Sequence, residues 1–149
     1  MASKIDLAAV AARVGSAYPP PFDEPCRDRE RRRVGDAAGL TQFGVNLLTL
    51  RPGTWSSQRH WHSHEDEFVY VVAGEVVLVT NEGEQTLIAG DCAGFPAGKA
   101  DGHHLQNRSS RDAILLEVGS RAEEDVTEYP DVDLRALPSG FVHKDGQQY

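Results

Sequence analysis

The 149-residue chain is poor in the features that mark most specialised classes. It has two cysteines, Cys26 and Cys92, far apart and in no CxxC pair. A disulfide framework and a thiolate zinc site are both excluded, and the two read as reduced thiols. No long apolar run exists to span a membrane. Asp6 interrupts the N-terminus where an export signal needs apolar residues, so the expected location is cytoplasmic. Positive charge is scarce: 15 Lys and Arg against 23 Asp and Glu leave a formal charge of −8. That balance argues against nucleic acid as a partner. There is no Walker loop, no GxGxxG and no G-x-S-x-G elbow. What remains is one globular domain, 40% hydrophobic and 26% charged.

The apolar stripe Ile5, Val10 and Val14 predicts a short helix over 5–14, stopped by Pro19–Pro21. Arg27–Arg33 holds five arginines with Asp28 and Glu30 between them. The interleaved acids make a solvated, self-neutralising arm the expectation, in preference to an anion-binding patch. From Gln42 the chain reads as strands at 42–50, 55–62, 67–73, 75–80, 85–88, 103–107 and 113–118. Pro52-Gly53, Ala73-Gly74, Asn81–Gly83 and Ala89–Asp91 separate them. Short strands at even spacing without helices between them point to a barrel or sandwich. Strand 67–73 is apolar on both faces, with Val69 and Val71 on one and Phe68, Tyr70 and Val72 on the other. One face lines the barrel, and the other requires the N-terminal arm or a second subunit. A homodimer is expected.

Histidine is where the sequence concentrates its chemistry. Five of the six fall in two clusters, His60/His62/His64 and His103/His104. His60 and His62 lie two apart, so on a strand both imidazoles share a face. A turn at Ser63–Asp66 lets the next strand return and aim Glu67 at the same spot. The second cluster follows a Pro/Gly-rich turn and offers a further imidazole. Three imidazoles and a carboxylate suit one divalent transition metal: Fe, Mn, Ni, Zn or Cu. By parity with the histidines, Ser56 and Gln58 are candidate substrate-binding residues. His64 reads as a turn residue, His143 as structural or exposed, and Trp61 and Phe68 as facing away from the histidines. Only one of His103 and His104 can enter a barrel. His103, Leu105 and Asn107 form the set expected inside, while His104, Gln106 and Arg108 form a polar, outward set.

The two segments resemble the paired motifs of the cupin superfamily. His60-x-His62, four residues, Glu67, six residues and Gly74 match the first motif, with Gly53 one residue further upstream than usual. Gly90, Pro96, Gly98, His103 and Asn107 match the second, with four residues before the histidine where two are usual. The three residues between His103 and Asn107 independently select His103 over His104. The resemblance implies an all-β fold, a double-stranded β-helix or jelly-roll barrel, with His60, His62, Glu67 and His103 holding the metal. It divides the chain into an N-terminal helix and arm (1–41), the barrel (42–119) and a C-terminal extension (120–149). It is strongest for small single-domain cupins, some described as sugar-phosphate isomerase-like or polyketide-cyclase-like. The expected function is a metal-dependent enzyme acting on a small oxygen-bearing molecule, by isomerase, lyase or dioxygenase chemistry. The alternative is a non-catalytic module that holds or senses a small ligand.

Overall fold

Aliphatic residues at alternate positions draw the central strands into one wall. Leu48 and Leu50, Val69 and Val71, and Ala113 and Leu115 are all within 2% of full burial. Removing each such Leu or Val from water stabilises the fold by about 1.5–3 kcal/mol. In the computed structural model, which describes residues 2–149, these residues lie on β3 (Phe43–Leu50), β5 (Glu67–Ala73) and β10 (Ala113–Ser120). The antiparallel register places Leu115 beside both Leu48 and Val71. Val76, Leu78, Leu87 and Leu105 close the core from the facing sheet.

Three antiparallel sheets result among the described residues. The largest runs β1–β2–β3–β10–β5–β8, with β1 at Ala12–Val14, β2 at Glu30–Arg33 and β8 at Cys92–Phe95. The facing sheet is β7–β6–β9, from Gly83–Ile88, Glu75–Thr80 and His104–Gln106. The third is β13–β12–β11–β4, from Gly140–Val142, Leu134–Leu137, Thr127–Tyr129 and Trp61–His62. A single turn of helix, α1 (Val34–Ala37), follows β2. No helix among the described residues is long and apolar enough to cross a membrane. Strands dominate and every pairing is antiparallel, as the sequence leads one to expect of a jelly roll.

Three local expectations are corrected. The helix expected over 5–14 is a 3₁₀ turn at Leu7–Ala9, capped by Asp6, followed by β1. Ten residues are too few to hold an isolated helix, and Val14 finds no surface to bury against, being 69% exposed. The arginine run is no solvated arm: it carries β2, which pairs with β3, and Arg29 is only 6% exposed. The strand expected over 55–62 pairs continuously only at Trp61–His62. Upstream it touches its neighbours through single bridges, Trp55 to Gln106 and His60 to His103, as it crosses between sheets.

Two motif residues serve the fold alone. Gly74 turns β5 into β6 at φ 78°, and a Cβ there would lie 2.6 Å from the Asp112 carbonyl oxygen. Asn107, 1% exposed, donates from Nδ2 to the carbonyls of Leu50 and Arg111. Its Oδ1 accepts from the Ser109 amide and hydroxyl, so all of its capacity fixes the loop before β10.

Candidate metal centre

His60 and His103 face each other across an antiparallel bridge, with reciprocal backbone hydrogen bonds of 3.1 and 2.9 Å. Residues directly opposite in such a pair project to one side, and the two imidazoles stand 4.8 Å apart between centroids. His62 follows on β4, and the Gly98 amide donates to its carbonyl oxygen, tying the two motifs together. The turn at Ser63–Asp66 is closed by Asp66, whose carboxylate accepts from Ala97 N and whose amide donates to Ser120 Oγ. Glu67 then opens β5 between Phe95 and Gly119.

All three imidazoles turn Nε2 toward the Glu67 carboxylate, at 3.3 Å for His60, 3.4 Å for His62 and 2.6 Å for His103. Donor atoms of His60, His62 and Glu67 lie within 4.8 Å of one another. The opposite edge of each ring decides what this means. His60 Nδ1 lies 2.8 Å from the Gln58 carbonyl oxygen, which only accepts, so the proton sits on Nδ1. His62 Nδ1 lies 2.7 Å from the Asp125 carboxylate and carries its proton for the same reason. Each Nε2 is thereby left facing a carboxylate oxygen, an arrangement that calls for a positive charge between them, a proton or a metal ion. The donor set fits a divalent transition metal, and the carboxylate–histidine contact at Asp125 is the outer support such ligands use.

Without a metal ion, protons fill that role, and metal binding would displace them. Burial works against ionisation of Glu67, yet His60, His103 and His62 hold its carboxyl well below the ordinary range. Burial also opposes a charged His62, but Glu67 and Asp125 prevail and push it up to about 9. Burial lowers His103. Its ring is stacked on Phe95 at 3.6 Å, and its buried Nδ1 has no partner among the described residues.

The other candidate residues fall differently. His104 is 4% exposed, where the sequence placed it outward: Trp55 covers it at 4.7 Å between centroids. Its Nδ1 donates to the Ser57 carbonyl and its Nε2 accepts from Gln106, so neither nitrogen is free. Burial pushes it down to about 4. Ser56 lines the central cavity, but its Oγ accepts from the Leu105 amide. Gln58 turns away, donating to the Phe22 carbonyl, and is not on the cavity wall. The parity that paired it with the histidines needed a continuous strand through 55–62. His64 sits in the turn, and His143 bonds Asp133 at the surface.

The cavity has a volume of about 460 Å³ and holds the four candidate ligands on its wall. Tyr129, Tyr18, Glu117, Arg31 and Arg29 share that wall; the tyrosines and Glu117 were not singled out from sequence, and the arginines were read there as part of a solvated arm. Burial pushes the Tyr18 phenol up to about 12 and, with Tyr18 beside it, raises Tyr129 well above the ordinary value. Both stay protonated. For the arginines a signal existed, since Arg29, Arg31 and Arg33 alternate as one strand face requires. For Asp125, far off in the C-terminal extension, no spacing gives it away.

Comparison with known proteins points one way. A family model described as the cupin domain matches residues 46–119. No curated protein matches the sequence. A crystal structure described as a sugar phosphate isomerase from a cupin superfamily, from Silicibacter pomeroyi DSS-3, is 44% identical, with 99% of this chain and 96% of that chain covered and a TM-score of 0.93. A putative sugar phosphate isomerase from Acidithiobacillus ferrooxidans is 31% identical over 77% of this chain and 74% of that chain, with a TM-score of 0.72. A polyketide cyclase from Streptomyces resistomycificus shares the fold at 17% identity, over 80% of each chain, with a TM-score of 0.64. With both motifs in place on a double-stranded β-helix and a near full-length relative at 44% identity, the chain belongs to the cupin superfamily.

Proposed function

We propose that this cupin is a metal-dependent isomerase acting on a small, sugar-like hydroxy-carbonyl compound. The observation that carries the reading is the convergence of His60, His62 and His103 Nε2 on the Glu67 carboxylate, with the far edges of His60 and His62 anchored by Gln58 and Asp125. His60, His62, Glu67 and His103 hold one divalent transition ion. When bound, that ion supplies Lewis-acid polarisation of a substrate oxygen.

The chain's own groups supply the rest. Isomerisation moves a proton between adjacent carbons and needs a base outside the metal set. Glu117 projects from β10 into the cavity with Arg31 at 3.3 Å, a placement that suits it to take and return that proton. Tyr129, its phenol protonated and its ring 5.8 Å from that of His60, donates a hydrogen bond to a substrate oxygen. The apolar floor beneath, with Leu105 and Val69 on the cavity wall, limits water around the reacting carbons. The 44%-identical relative described as a sugar phosphate isomerase supports the substrate class.

A second copy of the chain belongs in the same proposal. Phe68, Tyr70 and Val72 stand 42%, 40% and 47% exposed on the outer face of β5. Cross-strand neighbours Val118 and Leu116, then Val45 and Leu47, continue that face without a charge. An uncharged patch of this kind complements itself about a two-fold axis.

The test is interconversion of aldose and ketose substrates by protein reconstituted separately with each of the five metals. Turnover with at least one metal, abolished in Glu117→Gln while metal is retained, supports the reading. Ligand binding without turnover across the panel overturns it in favour of a binding module.

A further inference from the structure

A side lobe of about 100 Å³ adjoins the central cavity, sharing Ser16, Ala17, Arg29, Arg31 and Arg33 with its wall. Arg13 completes the cationic lining, and no Asp or Glu lines the lobe. In a chain of net charge −8, this is a local inversion of sign. The fold creates it by parity. Arg31 and Arg33 sit opposite Leu48 and Asn46 of β3, and so turn inward with the core face of the sheet.

Four features of the lobe are unfavourable as they stand. Arg29 is 6% exposed, yet its guanidinium donates only to the neutral carbonyls of Gly15 and Ser56, at 2.6–3.2 Å. It has no carboxylate partner among the described residues, and a buried unpaired cation is costly. Arg13 on β1 lies directly opposite Arg31 on β2, a like-charge cross-strand pair. Arg31 Nε is buried without a hydrogen-bond partner among the described residues. Ser16 Oγ, on the same wall, is buried without one among the described residues too. An anion with several acceptor oxygens resolves all four at once.

We propose that this lobe binds the phosphoryl group of the substrate, through Arg29, Arg31, Arg33 and the Ser16 hydroxyl. The inference rests on the isomerase reading and specifies its substrate as phosphorylated. Charge selects the phosphoryl group over a carboxylate. Against Arg13, Arg29, Arg31 and Arg33 stand only Glu117, at 3.3 Å from Arg31, and Asp36, at 3.7 Å from Arg33. The excess of about two positive charges matches a dianion, and the guanidinium fork matches its oxygens. Arg29 also ties the lobe to the metal ligands, because it holds Ser56 while Ser57 Oγ lies 3.2 Å from His60 Nδ1.

The experiment is calorimetric titration of the full chain with inorganic phosphate and, in parallel, acetate, with metal content measured in every sample. Wild type is expected to bind phosphate at least about tenfold more tightly than acetate. Arg31→Gln and Ser16→Ala are each expected to weaken phosphate about tenfold or more while keeping wild-type metal content. No phosphate binding by wild type overturns the proposal, as does equal affinity for acetate or unchanged affinity in both variants. Phosphate seated on the metal itself shows up as that unchanged affinity. Should wild type carry no metal but still lose phosphate affinity in the variants, the metal reading fails and the phosphoryl site stands.

Discussion

One set of strands builds two unlike ends of the barrel. On the inward face of β10, Ala113 and Leu115 give way to Glu117; on β3, Leu50 and Leu48 give way to Asn46; on β5, Val71 and Val69 give way to Glu67. At one end every inward residue is aliphatic and fully buried. At the other the same alternation delivers carboxylates, imidazoles and guanidiniums to a cavity. The pleat sets only which side a residue faces, and the residue placed there decides whether that level holds the fold or serves a ligand. Stability and chemistry can therefore be perturbed separately in this molecule.

The floor should give the largest effect. Leu115→Ala removes a fully buried side chain touching both β3 and β5, at a cost of about 2–5 kcal/mol in urea unfolding. Metal bound per folded molecule is expected to stay unchanged. A cost below about 1 kcal/mol would show that the floor does not carry the fold. The mouth gives a smaller and different response. Asp125→Asn leaves the core untouched but removes the charge 2.7 Å from His62 Nδ1. Metal affinity, read by competition with a chelator, should fall about 10–100-fold, and an unchanged affinity would separate Asp125 from the site. The outer face should respond least in stability. Tyr70→Asp is expected to shift light scattering from dimer to monomer, with monomer stability changed by no more than about 0.5 kcal/mol. A wild type that is already monomeric at micromolar concentration contradicts the two-fold patch.

The two ends were not equally legible in the sequence. Apolar, β-forming runs bounded by Gly, Pro and Asn/Asp breaks exposed β3, β5, β6 and β10 nearly to the residue, and each does bury a face against the core. The histidine spacing exposed the cluster around Glu67, because ligand and turn lie within a few residues of each other. What escaped depends on long-range contact. Asp125 reaches His62 only because β11 pairs with β4, and nothing local in the extension announces that pairing. Arg29 and Arg31 looked solvated because Asp28 and Glu30 alternate with them, yet alternation is what separates the two sets. Glu30 and Arg32 share one face of β2, Arg31 and Arg33 the other. Gln58 shows the converse error, since parity carries no information where the chain leaves the sheet.

The central claim is that His103 and not its neighbour completes the metal site with His60, His62 and Glu67. His103 turns Nε2 to Glu67 at 2.6 Å, whereas both nitrogens of His104 are held by Ser57 and Gln106. The direct test is metal content by mass spectrometry of untagged wild type, His103→Ala and His104→Ala, purified in parallel. The account predicts about one metal per chain in wild type and in His104→Ala, and its loss in His103→Ala. Metal retained in His103→Ala, or absent from wild type, would contradict it.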